Sequence, residues 1–474
     1  MSRIMNEVES ANSDGRNGKP QSSRQRVGYV GVDVLNNATI CNEAAGLLAL
    51  GVPLAIGTVK NFEKATFNEG LDELAAVRSA MISVGSMPLG RRISDLVLAP
   101  FLFPAGYWRM IVGGLLTPCE GPRQKAAFLS QILPAIVMAS EWRRRGYEIR
   151  HLHAHWAHTA TGVAMHLSRL LGVGYSMTGH ANDLFVHRVA LVPKVRGARF
   201  IHCIAEYHRL FYLALGANAG RLPVIYCGID TERFDADTFS LPSKAEPAFV
   251  GVGRLVEKKG FHHLIEACRV LKDRGIDFRC VIAGSGPEES RLRAMVADLG
   301  VGDCVSITGK PVPQAELPGL LGRFRFMALP CVKDSEGDMD GLPQVLMESM
   351  ACGRPAVSTR LVGIPDLVRN EQDGLLVETE NVPELVSALE RMLAENALVD
   401  RFGSSGAKFV REHFDRASNV RKVAELFAWA IANPGESAPP SHLIFPPAPG
   451  ASEAYGPGVL EEALPEGIPV PGRS

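Results

Sequence analysis

After Arg26 short apolar runs alternate with segments whose apolar residues recur at helical spacing. In the first half RVGYVGVD, VPLAIGTV, EIRHLHAHW, GYSMTGH, FIHCIA and LPVIYCG read as strands. A second series, AFVGVGRL, FRCVIAG, CVSITG, RFMALP, PAVST and GLLVE, is separated by FHHLIEACRVLKDRG, PEESRLRAMVADLG, QAELPGLLGRF and LPQVLMESMACG, each apolar at helical intervals. Strand and helix alternate in this way in parallel α/β sheets, where each crossover needs a helix. Between the two series, from Thr231 to Pro247, the pattern lapses into Asp, Ser, Pro and Lys, a linker. Two Rossmann-like, doubly wound domains are expected, over residues 26–240 and 245–432. Open sheets bind ligands beyond the carboxyl ends of their strands, so two such domains facing each other would make a central cleft. Residues 1–25 have no apolar core and read as a disordered lead; the Pro/Gly/Ala-rich residues 434–474 read as a disordered tail.

A chain of 474 residues, 46% hydrophobic, is long enough for two cores. Fifty basic against fifty-one acidic residues leave a net charge of -1, so no global field favours nucleic acid or an anionic surface, and any anion site must be local. The nine scattered cysteines form no CxxC pair, which fits a reducing cytoplasm rather than a disulfide framework or zinc cluster. The most apolar long stretch, residues 93–121, is interrupted by Asp95, Pro100, Pro104 and Arg109, so no run of about 20 apolar residues survives. It reads as buried helix and loop, with short interfacial helices as the alternative.

Chemistry concentrates where strands of the second series end. In GVGRLVEKKGF, Arg254 and Lys259, with Lys258 and Gly260 beside them, precede a helix starting near Phe261. Cations and free N–H groups at a helix start suit a phosphate or diphosphate; the bland reading is a solvated basic turn. AGSGPEE places Gly284 and Gly286 after the next strand, where backbone can approach a ligand or simply turn. The acidic run DSEGDMDGLPQVLMES has Asp340 and Glu348 eight residues apart, one in the loop before a helix and one on its second turn. Carboxylates beside a diphosphate site are suited to accept hydrogen bonds from ribose and sugar hydroxyls. Asp334, Glu336, Asp338 and Asp340 could instead form a metal site, although the full calcium-loop pattern is missing. His151, His153 and His155 share one strand face, which is either a metal-ligand pattern or a strand end lining the cleft.

GRLVEKKGF, AGSGPEE, DGLPQVLMESMACGRPAVST and GIPDLVRNEQDGLLVE, with HLHAHWAHTATGVA and CGIDTERF earlier, resemble glycosyltransferase family 4, especially exopolysaccharide enzymes of the colanic acid and amylovoran type. The resemblance runs from about residue 26 to 432. It implies a GT-B fold, a nucleotide sugar held mainly by the second domain, and glycosyl transfer with retention of configuration, typically without a metal ion or other cofactor. Carried over, Arg254 and Lys259 would hold the donor diphosphate, Glu348 the ribose, and Asp340, where most members have Glu, the transferred sugar. Gly341, Leu342, Gly284 and Gly286 would line the donor pocket. His180 in SMTGHAND would stand near the reacting sugar, with Asp183 a weaker candidate. NNATI, residues 36–40, departs from the family's segment after the first strand and puts the binding of acceptor or distal phosphate there in question.

The resulting expectation is a cytoplasmic transferase, peripheral at the inner membrane, using a nucleotide sugar and a lipid-linked or oligosaccharide acceptor, with no nucleic-acid partner. Two rival readings are a sugar-nucleotide epimerase of the same architecture and a non-catalytic donor-binding subunit of a polysaccharide assembly complex.

Overall fold

The computed structural model describes residues 24–60, 72–186, 188–236 and 246–455. Nearly all of the lead, the middle of the linker and the tail beyond Tyr455 therefore lie outside the described residues. The first sheet comprises β1 (Gln25–Gly31), β2 (Leu54–Thr58), β3 (Met81–Ser83), β4 (Glu148–His155) and β5 (Tyr175–Thr178), in the order β3-β2-β1-β4-β5. The second comprises β6 (Ala248–Val252), β7 (Arg279–Ala283), β8 (Val305–Ile307), β9 (Phe326–Leu329), β10 (Ala356–Thr359) and β11 (Gly374–Val377), in the order β11-β10-β9-β6-β7-β8, all parallel. All six strands read in the second series are present. In the first, FIHCIA and LPVIYCG yield only isolated bridges, Met177 to Ile201 and Cys203 to Val224, while the three-residue β3 had too little sequence to show a period.

The helices that matter below are α1 (Ala38–Ala49), α2 (Leu89–Leu102), α3 (Pro104–Leu116), α4 (Ile132–Arg144), α5 (Thr159–Leu171), α6 (Glu206–Ala214), α7 (Phe261–Asp273) and α8 (Gln344–Ala351). The unusual NNATI segment starts α1: the Asn37 side chain accepts from the Ile40 N–H at 3.1 Å and caps the helix. In β1, Gly28 leaves room for a core tryptophan, since a Cβ there would come within 3.1 Å of Trp142.

Contact density divides the chain into two compact units. One takes the described residues up to His155, with Thr159–Ser176 and Ala424–Ser437; the other takes Trp156–His158, Met177–Val423 and the described residues from Ala438. His180, the basic loop and the acidic loop consequently all belong to the second unit, whose sheet reverses its strand order around β6, with β7 on one side and β9 on the other. Loops leaving such a switch point diverge and form a ligand crevice.

Two expectations are corrected. The tail is packed, not disordered, as far as Tyr455: the Phe445 carbonyl accepts from Val224 N–H at 2.9 Å, Ala448 N–H donates to the Tyr226 hydroxyl at 2.8 Å, and Ser452 reaches Glu206 at 3.1 Å. The Tyr455 hydroxyl meets the Asp366 carboxylate and the Val362 carbonyl. Low complexity concealed four anchors, since Leu443, Ala448, Ala451 and Tyr455 find places against residues far away in sequence. The apolar stretch forms α2 and α3, but apart from Met110 most of its large side chains are not buried: Phe101 is 80% and Leu116 75% exposed.

Candidate functional site

The basic loop leaves β6 through Gly253 and Arg254, makes a 3-10 turn at Glu257–Lys259, and enters α7 through Gly260, whose φ of +67° suits glycine. A Cβ at Gly260 would lie 1.8 Å from the Pro330 carbonyl, so the loop can press directly on the chain leaving β9. Ion pairs join the two loops. Lys259 Nζ lies 2.7 Å from Asp340 Oδ2, and Lys258 Nζ lies 3.3 Å from Asp340 Oδ1 and 2.9 Å from Asp338 Oδ2. Burial raises the Asp340 pKa, but Lys259 and then Lys258 outweigh it and hold the carboxyl below its usual range. Burial likewise pulls both lysines down, and the carboxylates more than reverse this. Asp340 is thus an acceptor, not an acid, while Lys258 and Lys259 stay charged. Arg254 is exposed and pairs with no carboxylate among the described residues, giving three cations against two carboxylates.

The acids weighed as a metal group have other partners. Asp334 accepts from the N–H groups of Glu336 and Asp338 and closes a turn, while Asp338 and Asp340 face lysines. Gly284 and Gly286 are explained by close approach: Cβ atoms there would lie 1.8 Å from the Gly253 carbonyl and 2.4 Å from that of Leu255. Their loop is sewn to the basic loop by Gly253 N–H to Ala283 O and Leu255 N–H to Ser285 O, both 3.0 Å. The three loops expected at one sheet edge therefore do meet.

His180 lies against the same loop. A Cβ on Gly341 would sit 2.6 Å from the His180 carbonyl, which already accepts from His208 Nε2 at 2.6 Å. Burial pushes His208, on α6, down to about 4, so its ring is neutral and donates from Nε2. On the other side, the N–H groups of His180 and Ala181 donate to Asp183 Oδ1, each at 3.0 Å, and Ala157 N–H donates to Oδ2. The His180 backbone is clamped at both ends, and its half-buried ring packs on Trp156 at a tilt of 41°, with centroids 4.7 Å apart. Asp183 is a positioning residue, and so is His208, which no local pattern marks. Gly363 N–H completes the cluster by donating to the Gly341 carbonyl at 2.9 Å, and Leu342 follows, half-buried.

Glu348 is the fifth residue of α8, on its second turn, and is buried. Burial raises its pKa, opposed by the Gln314 amide, which donates to Oε1 at 2.5 Å, and by the charge of Arg233. Gln314 lies 34 residues upstream, and no local pattern marks it.

The strand histidines do not line a ligand cleft. His151, His153 and His155 are at most 1% exposed. His151 Nε2 and His153 Nδ1 both meet Ser176 Oγ at 2.8 Å, and His155 Nε2 meets Glu43 at 2.8 Å, with Tyr29 donating to the same oxygen. Glu43 thus supplies, from α1, the carboxylate that the strand itself lacks, and its oxygen lies within 4.8 Å of ligand atoms of His153 and His155. Those atoms are engaged in this hydrogen-bonded core network.

Residues 233–409, which contain both loops, match the family model for glycosyl transferases group 1. The amylovoran biosynthesis glycosyltransferase AmsK of Erwinia amylovora is 34% identical over 222 residues, 46% of this chain and 53% of its own. A GDP-mannose-dependent alpha-(1-6)-phosphatidylinositol monomannoside mannosyltransferase of Mycolicibacterium smegmatis is 30% identical over 264 residues, 54% of this chain and 67% of its own. The match spans about half the length of the amylovoran relative. Among solved structures, Anabaena HepE in complex with UDP superposes with a TM-score of 0.61 at 15% identity, over 85% of this chain and 99% of that one. With the family model lying across the basic and acidic loops and with two parallel sheets of GT-B type, the chain belongs to the group 1 glycosyltransferase family.

Proposed function

We infer that this chain transfers a glycosyl group, with retention of configuration, from a nucleotide sugar to a lipid-linked or oligosaccharide acceptor in exopolysaccharide or cell-surface polysaccharide synthesis. The observation that carries this reading is the pairing of Lys258 and Lys259 with Asp340 at the β6/β9 switch point, with Arg254 on the same basic loop. Cations there suit a leaving diphosphate, whose charge grows in the transition state, and the ionised Asp340 suits a sugar hydroxyl. The relatives' names support the biology: one is named for amylovoran biosynthesis, and the other for GDP-mannose and a phosphatidylinositol acceptor. A UDP complex of the fold neighbour points the same way.

On this reading, Lys259 and Arg254 bind the diphosphate, Glu348 accepts from the ribose, and Gly341 and Leu342 present backbone to the sugar. The C1–O bond to the diphosphate breaks as the acceptor oxygen bonds to C1, and the acceptor's proton passes to the departing phosphate oxygen on the same face. His180 stands beside the sugar. Side-chain cations neutralise the leaving group, and no metal cofactor takes part. The enzyme works at the cytoplasmic face of the inner membrane, where lipid-linked acceptors are presented.

The test is a panel of UDP- and GDP-sugars with and without acceptor lipid. Nucleotide release that depends on acceptor supports transfer. A product isomer formed without acceptor would indicate an epimerase, and binding without turnover a donor-holding subunit.

A further inference from the structure

Ten of the eleven large hydrophobic side chains exposed among the described residues lie on α2 and α3; the exception is Leu50. They include Leu89, Ile93, Val97 and Phe101 on one helix and Trp108, Val112 and Leu116 on the next. Their spacing of four residues along each helix puts those named on one face of each.

The opposite faces are what hold the hairpin down, and apart from the buried Met110 they are small or polar. On α3, Gly106 packs so closely on α5 that a Cβ would lie 1.9 Å from the Leu170 carbonyl, and Gly114 lies over His166. On α2 the buried residues are Ala99 and Asp95, and Arg144 of α4 grips Asp95 with two hydrogen bonds of 2.6 and 3.0 Å. A water-facing helix has the reverse arrangement, apolar inside and polar outside. These two helices are inside out, so a non-aqueous partner must meet their outer face.

Charge selects that partner. Residues 88–127 carry Arg91, Arg92, Arg109, Arg123 and Lys125 against Asp95, which is buried and paired, and Glu120; Arg91 is paired with Glu141 at 2.8 Å, which leaves the other four cations without a carboxylate partner among the described residues. An exposed Trp and a fringe of cations around an apolar ridge match the boundary between headgroups and acyl chains of an anionic bilayer. Among the described residues no single helix is long and apolar enough to cross a membrane; only this pair passes such a test together, and it is bent by 108°. So sharp a bend suits two short helices lying in an interface better than one straight span.

We propose that the α2–α3 hairpin is a monotopic wedge that seats in the interface of an anionic lipid bilayer, with Phe101, Trp108 and Leu116 in the acyl region and the arginines at the phosphates. This deepens the membrane contact in the proposed function and rests on that part of it alone.

The experiment is co-sedimentation of the full chain with vesicles of phosphatidylglycerol and phosphatidylethanolamine, beside vesicles of phosphatidylcholine only. The wild type should bind the anionic vesicles at least about tenfold more tightly, and acyl-brominated lipid should quench Trp108 fluorescence, a signal absent in Trp108→Phe. Phe101→Asp, at a site already in solvent, should lower the bound fraction about tenfold with the melting temperature and nucleotide diphosphate affinity unchanged. Equal binding of wild type and Phe101→Asp overturns the wedge, as does absence of binding. Self-association that Phe101→Asp abolishes, without vesicle binding, would give the face to a second copy of the chain and also overturns it. Failure of the glycosyltransferase reading would show separately, as no transfer with any donor whether or not the vesicles bind.

Discussion

Lys259 Nζ lies 2.7 Å from Asp340 Oδ2, so the cation assigned to the donor's diphosphate and the acid assigned to its sugar are partners of each other. A donor that draws Lys259 toward its phosphate must loosen this pair, and Asp340 is left with Lys258 and a freed lone pair for a sugar hydroxyl. The roles can be separated. Asp340→Asn releases Lys259 from its carboxylate, so calorimetry should show nucleotide diphosphate binding unchanged or tighter, while turnover of the intact sugar nucleotide falls. Lys259→Ala should lower turnover by about 10²-fold or more with little change in melting temperature. Equal loss of nucleotide affinity in both variants would show that the pair acts only as a structural latch.

Gly341 is fixed by its neighbour. Gly341→Ala puts a methyl 2.6 Å from the His180 carbonyl, and the loop must give way. The expected result is a destabilisation of about 1 to 3 kcal/mol in urea melts together with a fall in turnover. Normal activity would remove the contact between these loops from the mechanism.

Glu348 gives a pH signature. Its pKa is raised by burial, so the ionised form, which in the proposed function accepts from ribose hydroxyls, is lost as pH falls through that raised value. Gln314→Ala removes the amide that opposes the rise and should move the loss of nucleotide diphosphate affinity to higher pH. Glu348→Gln should weaken binding by about 1 to 3 kcal/mol and remove the pH dependence. Calorimetry between pH 5 and 8 checks all three.

On the proposed route, in which lysine and arginine charges neutralise the leaving group, a chelator should leave initial rates of transfer unchanged. Abolition by EDTA with rescue by a divalent cation would overturn the metal-free route.

The packed tail is testable through Asp366, which burial pushes up to about 7 against donors from Glu206 N–H, Tyr226 and Tyr455. A carboxyl whose folded pKa exceeds its unfolded value binds more protons when folded, so its contribution to stability falls as pH rises from about 4 to 7. Asp366→Asn should flatten that slope in denaturant melts. Tyr455→Phe should cost about 1 to 2 kcal/mol, and removal of residues 440–474 more. An unchanged melting temperature after that truncation would show that the arm contributes nothing.

Much of this was legible in the sequence because it is local. Arg254, Lys259, Asp340 and Glu348 stand at strand ends and helix starts that the apolar period marks, and parallel α/β order places those ends on one edge. Residues delivered by the rest of the fold were not legible: His208 from α6, Gln314 from a distant loop, Glu43 beside His155, and Tyr455 against Asp366. The hairpin failed for another reason. Periodicity reveals that a helix has an apolar face but not which face meets solvent; only Gly106 and Gly114 against α5, with Asp95 held by Arg144, decide it.

The latch between Lys258 and Asp338 joins residues eighty positions apart, across strands that are neighbours only once β6 and β9 have paired. The proposed donor pocket is consequently a late product of folding, since long loops must close before its walls exist. A partly folded chain has no pocket to fill, so donor binding selects the finished molecule. At a nucleotide sugar concentration of about a hundred times its dissociation constant, the native state would gain about 2.7 kcal/mol over the unfolded chain. The metabolite would thereby set the lifetime of the protein that consumes it, with starved cells holding a more easily unfolded and proteolysed population.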